Sequence, residues 1–138
     1  MNLSEENAKA ILLDIHEDIS DFADNSLSII FDNNNNSLTY PPGVDLTADE
    51  IEALNKINSS DNLRSALKKI LADNAAGVVF NLLNNIDGTS DPRNATDTWV
   101  GVKLVDLEPN AESESMEDFL HDEFYSTYWD WQNLKDAE

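Results

Sequence analysis

Between Asp61 and Gly88, apolar residues recur at spacings of three and four: Leu63, Leu67, Ile70, Leu71, Ala75, Val78, Leu82 and Ile86. At 3.6 residues per turn, that spacing gathers them on one helical face. Ala66, Val79 and Leu83 widen the face, so more than one neighbour must cover it. The pattern predicts one long buried helix over residues 61–87. Ser60 or Asp61 can accept the free N–H groups at its start, and Gly88 can take the left-handed conformation that ends it. Gly77 interrupts the stripe, and Val78-Val79-Phe80 would suit a buried strand over residues 77–83. The helix is preferred because the period continues across the glycine.

The other elements are read around this one. Ala8, Ile11, Leu12, Ile15, Ile19 and Phe22 predict a first helix over residues 4–22, with Ser4 as its N-cap. Asp24-Asn25-Ser26 breaks the stripe. Ile29, Ile30 and Phe31 then suggest a strand over residues 27–31, returning as a second at 37–40; a helix continuing through Phe31 is the alternative. Thr47 and Glu50 form a capping box, with Leu46 and Ile51 as the hydrophobic staple, and open a short helix over residues 47–57. Trp99, Val100, Val102, Leu104, Val105 and Leu107 predict a third strand over residues 99–107, which should pair with the hairpin. Met116, Phe119, Leu120, Phe124, Tyr128, Trp131 and Leu134 predict a last helix over residues 115–134, opened by Ser115 and Asp118. The expected fold is α+β and mostly helical: four helices and a small sheet in a single domain spanning residues 1–138.

Charge changes this picture most. There are 28 acids against 8 bases, a formal net charge of -20. A phosphate backbone would be repelled, so direct nucleic-acid binding is excluded, and an anionic membrane is disfavoured. Basic protein partners are favoured. The chain holds no cysteine and its first residues lack the basic flank of a signal peptide, so a reducing, cytoplasmic setting is expected. The apolar run from Ala75 to Phe80 is far too short to span a bilayer.

The acids are unevenly placed. From Lys103 to Lys135 no other lysine or arginine intervenes, while nine acids do, and Tyr125 and Trp129 fall outside the apolar stripe of the last helix. Exposed aromatics amid acids suit capture of a basic partner: the rings provide contact area, the carboxylates speed and selectivity. The expected partner-binding residues are therefore Glu117, Asp118, Asp122, Glu123, Tyr125 and Trp129, followed by Asp14, Glu17, Asp18 and Asp21 on the first helix. The plainer reading is a solvated acidic face with the two rings packed under a loop. The basic cluster of Lys56, Arg64, Lys68 and Lys69 is read as pairing with the acidic faces of the first or last helix.

No catalytic, metal or cofactor site is expected. Asp118 and His121 resemble half of a dimetal motif, but His16 has Leu13 at the matching position, so both histidines are read as helix-surface residues. The run Asp32 to Asn36 starts like a calcium loop, yet Ser37 and Gly43 stand where glycine and glutamate are required. Nucleophile-elbow, phosphate-loop, dinucleotide and zinc patterns do not occur. The leading expectation is a non-catalytic acidic binding module, in concrete form an inhibitor or immunity-type protein masking a basic nucleic-acid-processing partner. The alternatives are a DNA mimic, an acidic housekeeping domain, and an enzyme built on carboxylates.

Overall fold

Four helices account for the regular structure among the described residues: α1 (Glu5–Phe31), α2 (Ala48–Asn55), α3 (Asp61–Asp87) and α4 (Leu120–Asp136). They are seen in a computed structural model that describes residues 2–32 and 38–138. The expected α+β fold is therefore corrected to an all-helical one, because none of the three strands forms a sheet among the described residues. The chain divides into two compact units. One holds the residues up to Ile19 and those from Ala75 to Glu138; the other runs from Ser20 to Asn74.

In the second unit, Leu27–Phe31 is the end of α1 rather than a strand. The residues read as a break are absorbed by the helix: Ser26 Oγ donates to the carbonyl of Phe22 at 3.0 Å, and Asp24 pairs with Lys68 of α3 at 2.8 Å. Arg64 pairs with Asp32 and lies over the Phe31 ring. Ala23 and Leu27, one turn apart, are both buried. Continued helical burial and these two basic partners override the strand preference of Ile29-Ile30-Phe31. Residues 38–40 are irregular, with the Leu38 N–H donating to Asp45, and Ser37 lies outside the described residues, as does most of the run read as a calcium loop. α2 keeps its capping box, Thr47 Oγ1 accepting from Glu50 N–H and Glu50 Oε1 from Thr47 N–H.

In the first unit, Leu3, Ala8, Leu12, Leu83, Leu120 and Phe124 form the core, joined by Ile15, Ile19, Ala76, Val79, Ile86 and Met116. α3 has the expected bounds. Ser60 Oγ accepts from Leu63 N–H at its start; at its end Gly88 has φ +74° and the Thr89 N–H bonds the Asn84 carbonyl. Residues 77–83 are helical, so the strand alternative falls. The buried stripe is offset, however. Ala76, Val79, Leu83 and Ile86 meet the core, while Val78 and Leu82 face water. The neighbours cover only one flank of so apolar a helix.

α4 begins at Leu120, not at Ser115. Ser115 instead bridges to Ser4 as part of a short backbone clasp on the start of α1, with Met116 N–H on Leu3 carbonyl at 2.8 Å and Glu5 N–H on Glu114 carbonyl at 2.9 Å. The helix is capped from another element: Asp87, the last residue of α3, accepts the N–H groups of Leu120 and His121 at 3.0 and 2.8 Å and the His121 Nδ1–H at 2.6 Å. That carboxylate supplies what Ser115 and Asp118 were expected to supply.

Residues 99–107 run without a sheet partner, and Val100 and Leu107 stand almost free in water. Asp106 ties them to the start of α1. Its Oδ1 accepts from the Ser4 N–H at 3.0 Å and from Asn7 Nδ2 at 2.9 Å, while its own N–H donates to the Asn2 carbonyl. Asn7 first, then the Ser4 N–H, hold the Asp106 carboxyl below its ordinary value. A carboxyl depressed in the folded state adds stability above its unfolded value near 4, and that stability is lost as pH falls through the folded value. Asp106→Asn is expected to lower the melting temperature at pH 7 and to flatten the acid limb of stability below pH 4. Thermal melts followed by circular dichroism between pH 2 and pH 7 check this; an acid limb as steep as the wild type's would count against it.

Candidate functional site

The outer surface of α4 is exposed to water. Phe124 and Thr127 face inward, buried, against His16 of α1. Tyr125 leans on Phe80 of α3, ring centroids 5.4 Å apart, yet stays 55% exposed. Trp129 is 66% exposed and touches Tyr128 edge-on at 5.1 Å. The two aromatics are thus not packed under a loop. Asp122 is largely exposed beside them, and Glu123 is half-buried, its Oε2 accepting from Ser126 Oγ at 3.2 Å.

Where α4 meets the first turns of α1, a cavity of about 200 Å³ opens. Its floor is mostly apolar, formed by Ala8, Leu12 and Met116 with the buried Thr127. Its rim carries the carboxylates of Glu5, Asp118, Glu123 and Asp130. Lys9 reaches Asp130 at 3.4 Å across this rim. Four carboxylates around one ammonium leave a surplus of negative charge over a mostly apolar floor. A long cationic side chain fits such a place, with its stem on the floor and its charge at the rim.

The sequence-predicted residues are only partly brought together. Asp118 and Glu123 line the cavity beside α1, while Asp122, Tyr125 and Trp129 share the other flank of α4, towards Phe80 of α3. Glu117 is exposed just before that helix. Asp14 and Asp18 are each two residues from His16, about 200° around the helix, so they lie on the side of α1 turned away from α4. Asp21 belongs to the second unit. Glu17 is already taken: Lys135 Nζ and Trp131 Nε1 both donate to it at 2.6 Å, and those two bonds, Lys135 first, hold its carboxyl below the ordinary value. Glu5, Lys9 and Asp130 were not among the expected site residues. Lys9 and Asp130 are separated by most of the chain, and only the alignment of α1 with α4 joins them.

Both histidines depart from the surface role expected of them. His16 is buried, stacked on Phe124 with centroids 4.8 Å apart, and its Nε2–H donates to the Phe124 carbonyl at 2.8 Å. Burial pushes its pKa below the ordinary value, with the Phe124 bond pulling the other way. His121 is the partner of Asp87, and its Nε2 stands 3.4 Å from Asp122. No group of side chains among the described residues is arranged to hold a metal ion. Of the basic cluster, Lys68 pairs with Asp24 of α1 and Arg64 with Asp32 just past its end, neither of them on the acidic faces expected; Lys56 pairs with Glu52 of α2. No helix among the described residues is long and apolar enough to cross a membrane. The chain matches no protein-family model, no curated protein and no solved structure.

Proposed function

We infer that the protein is a non-catalytic binding module that captures a basic protein partner on the outer surface of α4. In its concrete form it is an inhibitor or immunity-type protein that masks a nucleic-acid-processing enzyme. The reading rests on the cavity rimmed by Glu5, Asp118, Glu123 and Asp130, with Asp122, Tyr125 and Trp129 exposed on the other flank of α4. An enzyme that grips phosphate carries lysines and arginines in its cleft. One such side chain seated at the cavity rim would be orientated by several carboxylates, and Tyr125 and Trp129, on the other flank of α4, would offer the partner separate contact area. The long-range field of the -20 chain would speed the encounter. A duplex mimic needs two ordered rows of acids, and the row of Asp14 and Asp18 on the far side of α1 does not favour it.

Affinity capture at low and at high salt tests this. A basic protein should be retained at low salt and released as salt rises. The variant Glu5→Gln/Asp118→Asn/Glu123→Gln should fold as the wild type does by circular dichroism, yet associate about tenfold more slowly. Unchanged association in that variant, or retention of no basic protein at any salt, would overturn the reading.

A further inference from the structure

The α4 surface leaves unused an exposed acidic row on α1. Ile11, Asp14 and Asp18 follow one another at spacings of three and four, so they share one flank of the helix. At the start of that flank, Ala10 and Ile11 meet Leu104 and Leu107 around a shallow groove of about 210 Å³. Its apolar side chains reach water: Leu107 is 96% exposed and Ile11 40%. Asp14 and Asp18, exposed beyond it, have no ion-pair partner among the described residues.

We propose that this groove docks a cationic amphipathic helix. One apolar side chain of the incoming helix sits between Ile11 and Leu107, and lysine or arginine three and seven residues further on faces Asp14 and Asp18. The spacing selects this occupant. Along the axis of α1 the two carboxylates stand roughly 4.5 and 10.5 Å beyond Ile11. A helix lying alongside repeats those offsets on one of its own faces. An extended chain, at about 3.3 Å per residue with alternate residues facing away, places same-face side chains near 6.6 and 13.2 Å instead. The apolar contact supplies affinity; the acids set direction and reject acidic helices. A second copy of the chain is a poor occupant, since two bodies of charge -20 repel. This surface is separate from that of α4 and does not depend on it.

The probe is a synthetic peptide of about 18 residues, long enough to hold a helix, with leucine at one position and lysine three and seven residues later. It is titrated into the full chain at low salt and followed by backbone amide NMR. Perturbations should centre on Ala10, Ile11, Asp14, Asp18, Leu104 and Leu107. Asp14→Asn/Asp18→Asn should weaken binding about tenfold, as should serine in place of the peptide's anchor leucine. Perturbations confined to residues 118–130, an affinity unchanged in the double variant, or no binding would overturn the groove. Substitutions at Glu5, Asp118 and Glu123 should leave this binding intact, so the two surfaces fail separately.

Discussion

Asp87→Ala is expected to destabilise the protein by about 3 kcal/mol, and so to lower its melting temperature by roughly 10 °C. The Asp87 carboxylate is only 8% exposed and serves three donors at once: two backbone N–H groups of the first turn of α4 and the imidazole of His121. Alanine leaves these donors facing a protein interior with nothing to accept them. Each such loss costs about 1–3 kcal/mol, and the N-terminal end of the α4 dipole loses its counter-charge. Asp87→Asn keeps one oxygen and should fall between the two. Hydrogen exchange gives the local readout: the amides of Leu120 and His121 should lose protection before those at the middle of α4. Asp97→Ala, at an exposed position in the segment after α3, is the control. Equal stability in the two alanine variants would mean that water caps α4 without help.

Asp87 also marks the boundary of what local sequence can reveal. Features contained within a few residues were legible: the capping box of α2, the bounds of α3 between Ser60 and Gly88, and Ser4 as the N-cap of α1, its Oγ accepting from Asn7 N–H at 3.3 Å. Features decided by a distant partner were not. α4 starts at Leu120 because its cap lies at the end of α3, and Ser115 was drawn into the clasp with Ser4. α1 runs on to Phe31 because Arg64 and Lys68 meet it there. The offset of the α3 stripe has the same origin. With apolar residues around so much of that helix, periodicity alone does not say whether Val78 or Val79 faces inward; the neighbours decide. The candidate site divides similarly. Asp118, Glu123, Tyr125 and Trp129 could be picked because they cluster in sequence; Tyr125 and Trp129 are exposed, and Asp118 and Glu123 line the cavity. Glu5, Lys9 and Asp130 join Asp118 and Glu123 only through the packing of α1 on α4. Glu17 and Asp106, indistinguishable from the other acids in a chain this acidic, are consumed in holding elements together.

Phe124→Ala is expected to be the most damaging single substitution, and it carries a second signature in pH. The ring is 1% exposed at the centre of the core, and truncation of a buried phenylalanine costs about 3–5 kcal/mol through lost transfer energy and the cavity left behind. Against a usual total of about 5–15 kcal/mol, in a chain whose own charge opposes compaction, much of the population would unfold at moderate temperature. The same ring covers His16. In the wild type the His16 pKa is lowered by burial, so the unfolded state binds the proton more readily. Stability from this group is complete above the ordinary value near 6.5 and is lost as pH falls through the lower folded value. Carboxylates near pKa 4 change little between pH 7 and pH 5, and the difference between the wild type and His16→Phe isolates the His16 part of that window. Removing the ring admits water to His16, restores its pKa toward 6.5, and should flatten the dependence of stability on pH there. Urea titrations at pH 7, 6 and 5 on the wild type, Phe124→Ala and His16→Phe measure both effects. Phe124→Leu, expected to cost under about 1.5 kcal/mol, provides a folded intermediate if the alanine variant does not persist. A wild-type slope retained in Phe124→Ala would separate the histidine from the ring and place the source of its lowered affinity for protons elsewhere in the α1–α4 contact.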